Sequence, residues 1–353
     1  MGTQDILLYD SRAVPENCPK LVLPSPAVLY RERLKSLLAY KRDMFLDGSI
    51  IGGGGLISAL TAHIRSGFSV FMTREAALSL RNDLEEVKAM GIQIVEKVPP
   101  GFSGEHLTLE EIDFTTLAAL LSPWDIDLGQ TEIAAIAVQD HGVSPPGMSN
   151  RYSRIQGMKE KLKGDPRPTH FAFLPEEIPS SHLRMQAAAK ASLEQLNHAQ
   201  PLLMDTSLAA ICGCLADPEI TRSLSQPILC VNLGNSHTMA ALVQDTEVLG
   251  LLEHHTRALS PESLEENLRK FAEGDLTDED VFRAGGHGAF YLKGPPGLSQ
   301  SSLIAVTGPQ RDIMRRTRLS HFYPAPFGDM MMTGPAGLIL AAQEKRSCSS
   351  RSD

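Results

Sequence analysis

The sequence predicts an α/β protein with mixed sheets and two domains, and three observations predict it. Apolar strand patterns alternate with helical periodicities along most of the chain. The 353 residues exceed what one ordinary domain holds. Hydrophobic residues make up 42% and charged residues 21%, a balance that supports a sizeable buried core.

In chain order, short apolar runs bounded by turn residues predict strands at 5–10, 20–23, 69–73, 92–96, 132–140 and 169–174. Further strands are predicted at 201–205, 227–233, 238–244, 248–253 and 303–308. Helical spacing of apolar residues predicts helices at 30–40, 56–66, 74–90, 181–196, 261–272 and 335–344. Ser260 followed by Pro261 reads as an N-cap and first helical residue, and Gly274 supplies a left-handed stop. Leu264, Leu268 and Phe271 share the face between them. Thr277 with Asp280 reads as a capping pair opening a short helix over 279–283. Residues 142–150 and 285–300, rich in glycine and proline, read as long loops. The expected division is a first domain at 1–200, a second at 201–344 that ends in a helix, and a disordered polar tail at 345–353.

Charge narrows the classes of partner. The chain carries 33 basic and 42 acidic residues, and its net charge of −9 argues against a broad nucleic-acid or anionic-membrane surface. Aromatic content of 5%, with Trp124 the single tryptophan, argues against a stacking platform for single strands. Five cysteines, Cys18, Cys212, Cys214, Cys230 and Cys348, are too few and too spread for a secreted disulfide framework. No apolar run approaches the roughly 18 residues of a membrane span. A cytoplasmic protein is expected, with a small-molecule or protein partner rather than nucleic acid or membrane.

The polar motifs sit at strand ends. Gly234-Asn235-Ser236-His237-Thr238 separates two apolar strands, so glycine and hydroxyl side chains converge at a hairpin tip that can surround a phosphate or serve as a plain turn. A strand ending in Asp205 enters a small-residue helix. Another runs into Thr307-Gly308-Pro309, and Gly328-Asp329 leads into a helix through Gly334 and Gly337. Asp329 is placed either to cap that helix or to orient a ligand, and Met330, Met331 and Met332 read as core. The strand ending Gln139-Asp140-His141-Gly142 delivers an amide, a carboxylate and an imidazole to a sheet edge, with Gln139 and His141 on the side that Asp140 does not share. Gly52-Gly53-Gly54-Gly55 before a helix is open to three readings: a structural turn, an anion site, or a dinucleotide site with Arg74 meeting a 2′-phosphate. His63, His170, His182, His254, His255, His287 and His321 are scattered without zinc-type spacing, so ordinary surface or satisfied core positions are expected.

The order of these pieces is similar to that of the sugar kinase, Hsp70 and actin superfamily. That resemblance implies two ribonuclease-H-like domains around a nucleotide cleft that binds ATP with Mg²⁺. It makes Gly2, Thr3, Gln4 and Asp5 the end of a first phosphate hairpin, 205–213 a first connector and 232–238 a second phosphate hairpin. Thr307, Gly308 and Pro309 then carry the adenosine turn, and 328–337 is a second connector that includes Gly334. More narrowly, the chain resembles the DUF1786 family through residues 2–10, 20–26, 138–142, 234–238 and 325–331. Its members often bear a pyruvate formate-lyase activating label, and a radical activator of that kind holds an iron–sulfur cluster on three closely spaced cysteines. Cys212 and Cys214 have no third cysteine close in sequence, so no such cluster is expected.

The superfamily pattern also places an aspartate ahead of the first hairpin, on a strand that this sequence lacks, and another where Asn232 stands. Both would organise Mg²⁺, and their absence weighs against rapid hydrolysis more than against binding. The leading expectation is therefore nucleotide binding with possible ATPase or phosphotransferase activity. Gly2, Thr3, Gln4, Gly234, Asn235, Ser236, His237, Thr238, Gly308, Pro309 and Gly334 would hold the nucleotide. Gln139, Asp140 and Asp205 would position water, and Asp140 and Asp205 would meet the metal through water. A non-catalytic nucleotide-gated binding protein and an NADP-dependent enzyme are the alternatives.

Overall fold

The structure, a computed structural model, describes residues 2–145, 147–301 and 303–349. Its strands are β1 (Thr3–Leu7), β2 (Lys20–Pro24), β3 (Met44–Gly48), β4 (Val70–Met72), β5 (Gln93–Ile94), β6 (Glu105–Leu109) and β7 (Ile133–Ala137). They continue with β8 (Gln200–Met204), β9 (Ile228–Leu233), β10 (His237–Gln244), β11 (Glu247–His255), β12 (Gly288–Tyr291) and β13 (Leu303–Thr307). The helices are α1 (Pro26–Leu38), α2 (Ile57–Arg65), α3 (Arg74–Leu78), α4 (Leu84–Ala89), α5 (Phe114–Leu121) and α6 (Asn150–Gly164). After them come α7 (Leu183–Gln195), α8 (Thr206–Leu215), α9 (Pro218–Ser223), α10 (Pro261–Glu273), α11 (Asp278–Arg283) and α12 (Thr333–Ser349). This is a mixed α/β fold with several sheets. None of the described helices is long and apolar enough to cross a membrane.

The chain folds as two units, each built from separated stretches. The first comprises Met1–Gln4, Leu23–Ala134 and Ile178–Pro201. Its four-stranded sheet, in the order β5-β4-β3-β6, is wholly parallel. Parallel strands are covered on both faces and so are apolar without alternation; Met44, Phe45 and Leu46 are all buried. Leu34 of α1 and Leu56 and Leu60 around the start of α2 pack into the same core as Met44, Leu46, Val70 and Met72.

The second unit comprises Asp5–Val22, Ala135–Glu177 and Leu202–Asp353. Its sheet has the order β12-β11-β10-β9-β13, an antiparallel meander with β13 added parallel to β9. All six residues of β9 are buried, because helices cover both faces of the sheet. Leu264, Leu268 and Phe271 of α10 share a core with Leu229, Val231 and Leu233. On the other face α8 packs against β9 and, most extensively, against α12. Two glycines permit that helix crossing: a Cβ at Gly213 would lie 1.6 Å from the Thr333 carbonyl oxygen, and one at Gly337 would lie 1.9 Å from that of Ala209.

Several expectations require correction. The span 74–90 is two helices rather than one, because Asp83 accepts from the Glu85 amide and starts α4 afresh. Residues 168–171 form a 3-10 turn opened by Pro168, not a strand, and only Phe173 bridges to Leu203. The loop expected over 285–300 contains β12, which pairs with β11. The tail expected to be disordered continues α12 as far as Ser349, and the remainder lies outside the described residues.

Candidate functional site

In the second unit, β9 and β13 run parallel and end side by side, with Thr307 opposite Asn232. Both then turn through glycine. The Gly234 amide donates to the His237 carbonyl at 2.9 Å, closing the hairpin into β10. Gly308 has φ +97°, and a Cβ there would fall 2.4 Å from the Leu233 carbonyl oxygen and 2.7 Å from Asn232 Oδ1, so only glycine fits. Past Pro309, the Gln310 backbone amide donates to the Leu233 carbonyl at 2.9 Å and its side chain to Asn235 Oδ1 at 3.1 Å. The start of α12 reaches the same edge, where Thr307 Oγ1 donates to Thr333 Oγ1 at 3.1 Å, next to Gly334. Ser236 is exposed at the hairpin tip, whereas Thr238 is buried with its hydroxyl 3.0 Å from that of Thr256.

Three histidines from separate elements meet beside this hairpin. His141 follows β7, His237 opens β10 and His287 immediately precedes β12. One ring nitrogen from each lies within 4.8 Å of the others, and no other trio of His, Cys, Asp or Glu among the described residues is grouped in this way. The expectation that His287 is an isolated, satisfied residue is thus corrected: Nδ1 of His287 and Nε2 of His237 are buried without hydrogen-bond partners. His255, opposite His237 across β10 and β11, adds a ring 4.8 Å from those of His237 and His287.

Polar neighbours fix these rings. The Gln139 carboxamide contacts His141 Nε2 at 3.1 Å and also His237 Nδ1, so Gln139 and His141 do share a side. Asp140 turns away to accept from the Gly142 amide at 2.9 Å. Its carbonyl accepts from Arg154 of α6 at 3.1 Å. Arg154 also donates to both oxygens of Asp205, at 3.1 and 3.2 Å, and to both of Glu253, at 2.7 and 2.9 Å. Asp205 accepts in addition from the Ser207 amide at 2.9 Å as N-cap of α8. Burial alone would raise the Asp205 pKa, but the Arg154 charge outweighs it and holds the carboxyl below the usual range. Its visible role is to anchor Arg154.

Burial also holds the three rings neutral, pushing His141 down to about 3, His237 to about 4 and His287 to about 2, with Arg154 adding to each fall. Neutral imidazole keeps one lone pair per ring.

Asp329 accepts from the Met331 amide at 2.8 Å and so caps the turn ahead of α12, whereas Gly2, Thr3, Gln4, the glycine run and Arg74 lie in the first unit. The Gly2 carbonyl accepts from the Ser25 amide, and the Gln4 side chain donates to the Pro24 carbonyl, with Thr3 between them opening β1. In the glycine run, the Gly52 amide donates to Glu111 Oε2 at 3.2 Å, and Arg184 clamps the same carboxylate at 2.6 and 3.0 Å. An anion from the chain itself therefore fills that helix entry. Arg74 lines a groove with Glu75, Lys88 and Ile94, none of them in the glycine run.

Residues 51–313, well over half of the chain, match the family described as "Putative pyruvate format-lyase activating enzyme (DUF1786)". The chain belongs to the DUF1786 family. No curated protein matches it. In this DUF1786 protein Cys212, Cys214 and Cys230 are fully buried between α8 and β9. A hydrogen bond to Cys230, together with burial, pushes the Cys214 thiol well up, and burial pushes Cys212 up. The three side chains pack the sheet face as small apolar groups.

Sequence reasoning missed His287, Arg154 and Glu253. A signal existed for the first in Gly285-Gly286-His287-Gly288: a Cβ at Gly286 would lie 2.6 Å from the His254 ring, and one at Gly288 would lie 1.9 Å from Asp278 Oδ1.

Proposed function

We propose that this DUF1786 protein binds a purine nucleotide, ATP with Mg²⁺ in the first instance, at the strand-end edge of its second unit. The observation that carries the reading is the apposition of the Gly234 and Gly308 turns at the carboxyl ends of two parallel strands, where α/β proteins bind ligands. Gly308 is required by the chain's own close packing, since the Leu233 carbonyl and Asn232 Oδ1 crowd the place of a Cβ, and it thereby brings the two turns together. The motif order also supports the reading, since connector α8, hairpin β9–β10, turn 307–309 and connector α12 follow one another as the actin and Hsp70 resemblance implies.

In this reading Gly234, Asn235 and Ser236 surround the phosphates, and Gly308, Pro309 and Gly334 lie near the nucleoside. ATP bound there supplies a transferable γ-phosphoryl group, and the chain's own contribution is positioning. Asp140 is the carboxylate assigned to metal-bound water, because Asp205 is committed to Arg154. The test is calorimetric titration of ATP with Mg²⁺ into the wild-type chain and into Ser236→Asp. Ser236 is exposed, so the variant folds normally while placing a negative charge at the tip. ATP affinity should fall by about tenfold, equivalent to about 1.4 kcal/mol. No binding to wild type, or equal affinity in both, overturns the proposal.

One observation favours a second reading, a nucleotide-gated binding protein without turnover. Asn232 is buried, and its neutral Oδ1 abuts Gly308 where the resemblance calls for a carboxylate. Hard divalent ions prefer carboxylate oxygen. ATP that raises the melting temperature without release of phosphate selects this reading.

A further inference from the structure

We propose that His141, His237 and His287 bind a divalent transition-metal ion of the zinc class, with at least one coordination position left open. The donor set is three imidazoles without a thiolate or carboxylate among the grouped atoms, which suits borderline ions such as Zn²⁺ over Mg²⁺ or Ca²⁺. Three protein ligands with a free position is the pattern of a reactive rather than a closed structural zinc site.

The fit rests on independent observations. Nitrogens bound to one tetrahedral ion at ~2.0–2.1 Å stand about 3.4 Å apart. The 4.8 Å limit seen here closes by side-chain rotations of about an ångström. Two ring nitrogens of the trio, His237 Nε2 and His287 Nδ1, are buried and unpartnered. A buried imidazole nitrogen without a partner loses free energy that a metal bond returns.

The surroundings supply what such ligands need outside the metal. Metal-bound histidines characteristically donate their second N–H to an oxygen that fixes ring orientation. Gln139 contacts a nitrogen of both His141 and His237. A half-turn of its amide presents one oxygen to both N–H groups and leaves the other nitrogen of each ring to the ion. Charge is also favourable, since Arg154 is paired with both Asp205 and Glu253 and the buried triad carries a net −1 beside the rings. His255 lies tilted against the His237 and His287 rings but is not among the grouped donors.

The site does not depend on nucleotide binding, and its test uses no nucleotide. Tag-free full-length protein, stripped with chelator, is titrated with Co²⁺ and followed by visible absorption, and the bound ion is then displaced with Zn²⁺. The expected result is one equivalent of Co²⁺ with d–d bands of nitrogen and oxygen ligation and no thiolate charge-transfer band. His287→Ala and His141→Ala should each weaken binding by about 100-fold, and His255→Ala by no more than about threefold. If either ligand variant fails to fold, the wild-type spectrum still decides. No binding at one equivalent, a thiolate band, or unchanged affinity in a folded His287→Ala overturns the assignment.

Discussion

Glu253 holds Arg154 with both carboxylate oxygens, one 2.7 Å from Nε and the other 2.9 Å from Nη2, and both side chains are buried. Asp205 and the Asp140 carbonyl take the remaining guanidinium hydrogens, so all five donors of Arg154 are satisfied. One residue of α6 thereby ties together the segment carrying His141, the start of α8 and the end of β11.

Removing one member of this network leaves a buried charge unmatched. Glu253→Gln and Arg154→Met should each lower the unfolding free energy by about 3–5 kcal/mol, read from the shift in the urea midpoint at constant slope. A loss below about 1 kcal/mol in Arg154→Met would show that the network contributes little.

Acid should destabilise the metal-free protein before its carboxylates titrate. In the unfolded chain each histidine takes up a proton as pH falls through about 6.5. In the folded chain His141, His237 and His287 resist until about 3, 4 and 2. Between those limits the unfolded state binds more protons, so stability is full above pH 6.5 and declines as pH falls. At pH 5 each ring accounts for up to about 2 kcal/mol. Chemical unfolding at pH 7 and pH 5 should show this loss, and His287→Gln should recover about that amount of it. Equal pH dependence in the variant would remove His287 from the account.

The helix crossing predicts opposite outcomes at two glycines of one helix. Gly337→Ala sets a methyl group 1.9 Å from the Ala209 carbonyl and should cost at least about 1–3 kcal/mol. At Gly334 a Cβ meets nothing within 4 Å, so Gly334→Ala should be neutral or stabilising. Melting temperatures of the two variants, measured side by side, check the crossing geometry.

Features written in a few consecutive residues were legible. Ser260 and Ser263 form a capping box, Pro261 opens α10, and Gly274 ends it with φ +86°, as the local pattern implies. Thr277 and Asp280 likewise cap α11. The glycine turns at 234 and 308 were visible as motifs, but their apposition depends on the parallel pairing of β9 with β13, which no local pattern encodes. The strand β12 was hidden because its flanking glycines read as loop. The histidine trio was the least legible, because His141, His237 and His287 lie far apart in sequence and are joined only by sheet register. Arg154 escaped for a related reason: on α6 it looks like one more cation on a polar helix, and only its buried partners on α8 and β11 reveal it.

The Arg154 network also bears on how the molecule can be dissected. A fragment beginning near residue 201 would keep β8, α8 and the whole five-stranded sheet, and so would look like an independent piece. It would also keep Asp205 and Glu253 while losing α6 and the guanidinium between them. Two buried carboxylates would then face each other without a cation, and the fragment could relieve them only by taking up protons or by opening the sheet edge to water. Supplying residues 135–177 as a separate peptide should restore the missing charge, which makes fragment complementation the natural way to study this half of the chain.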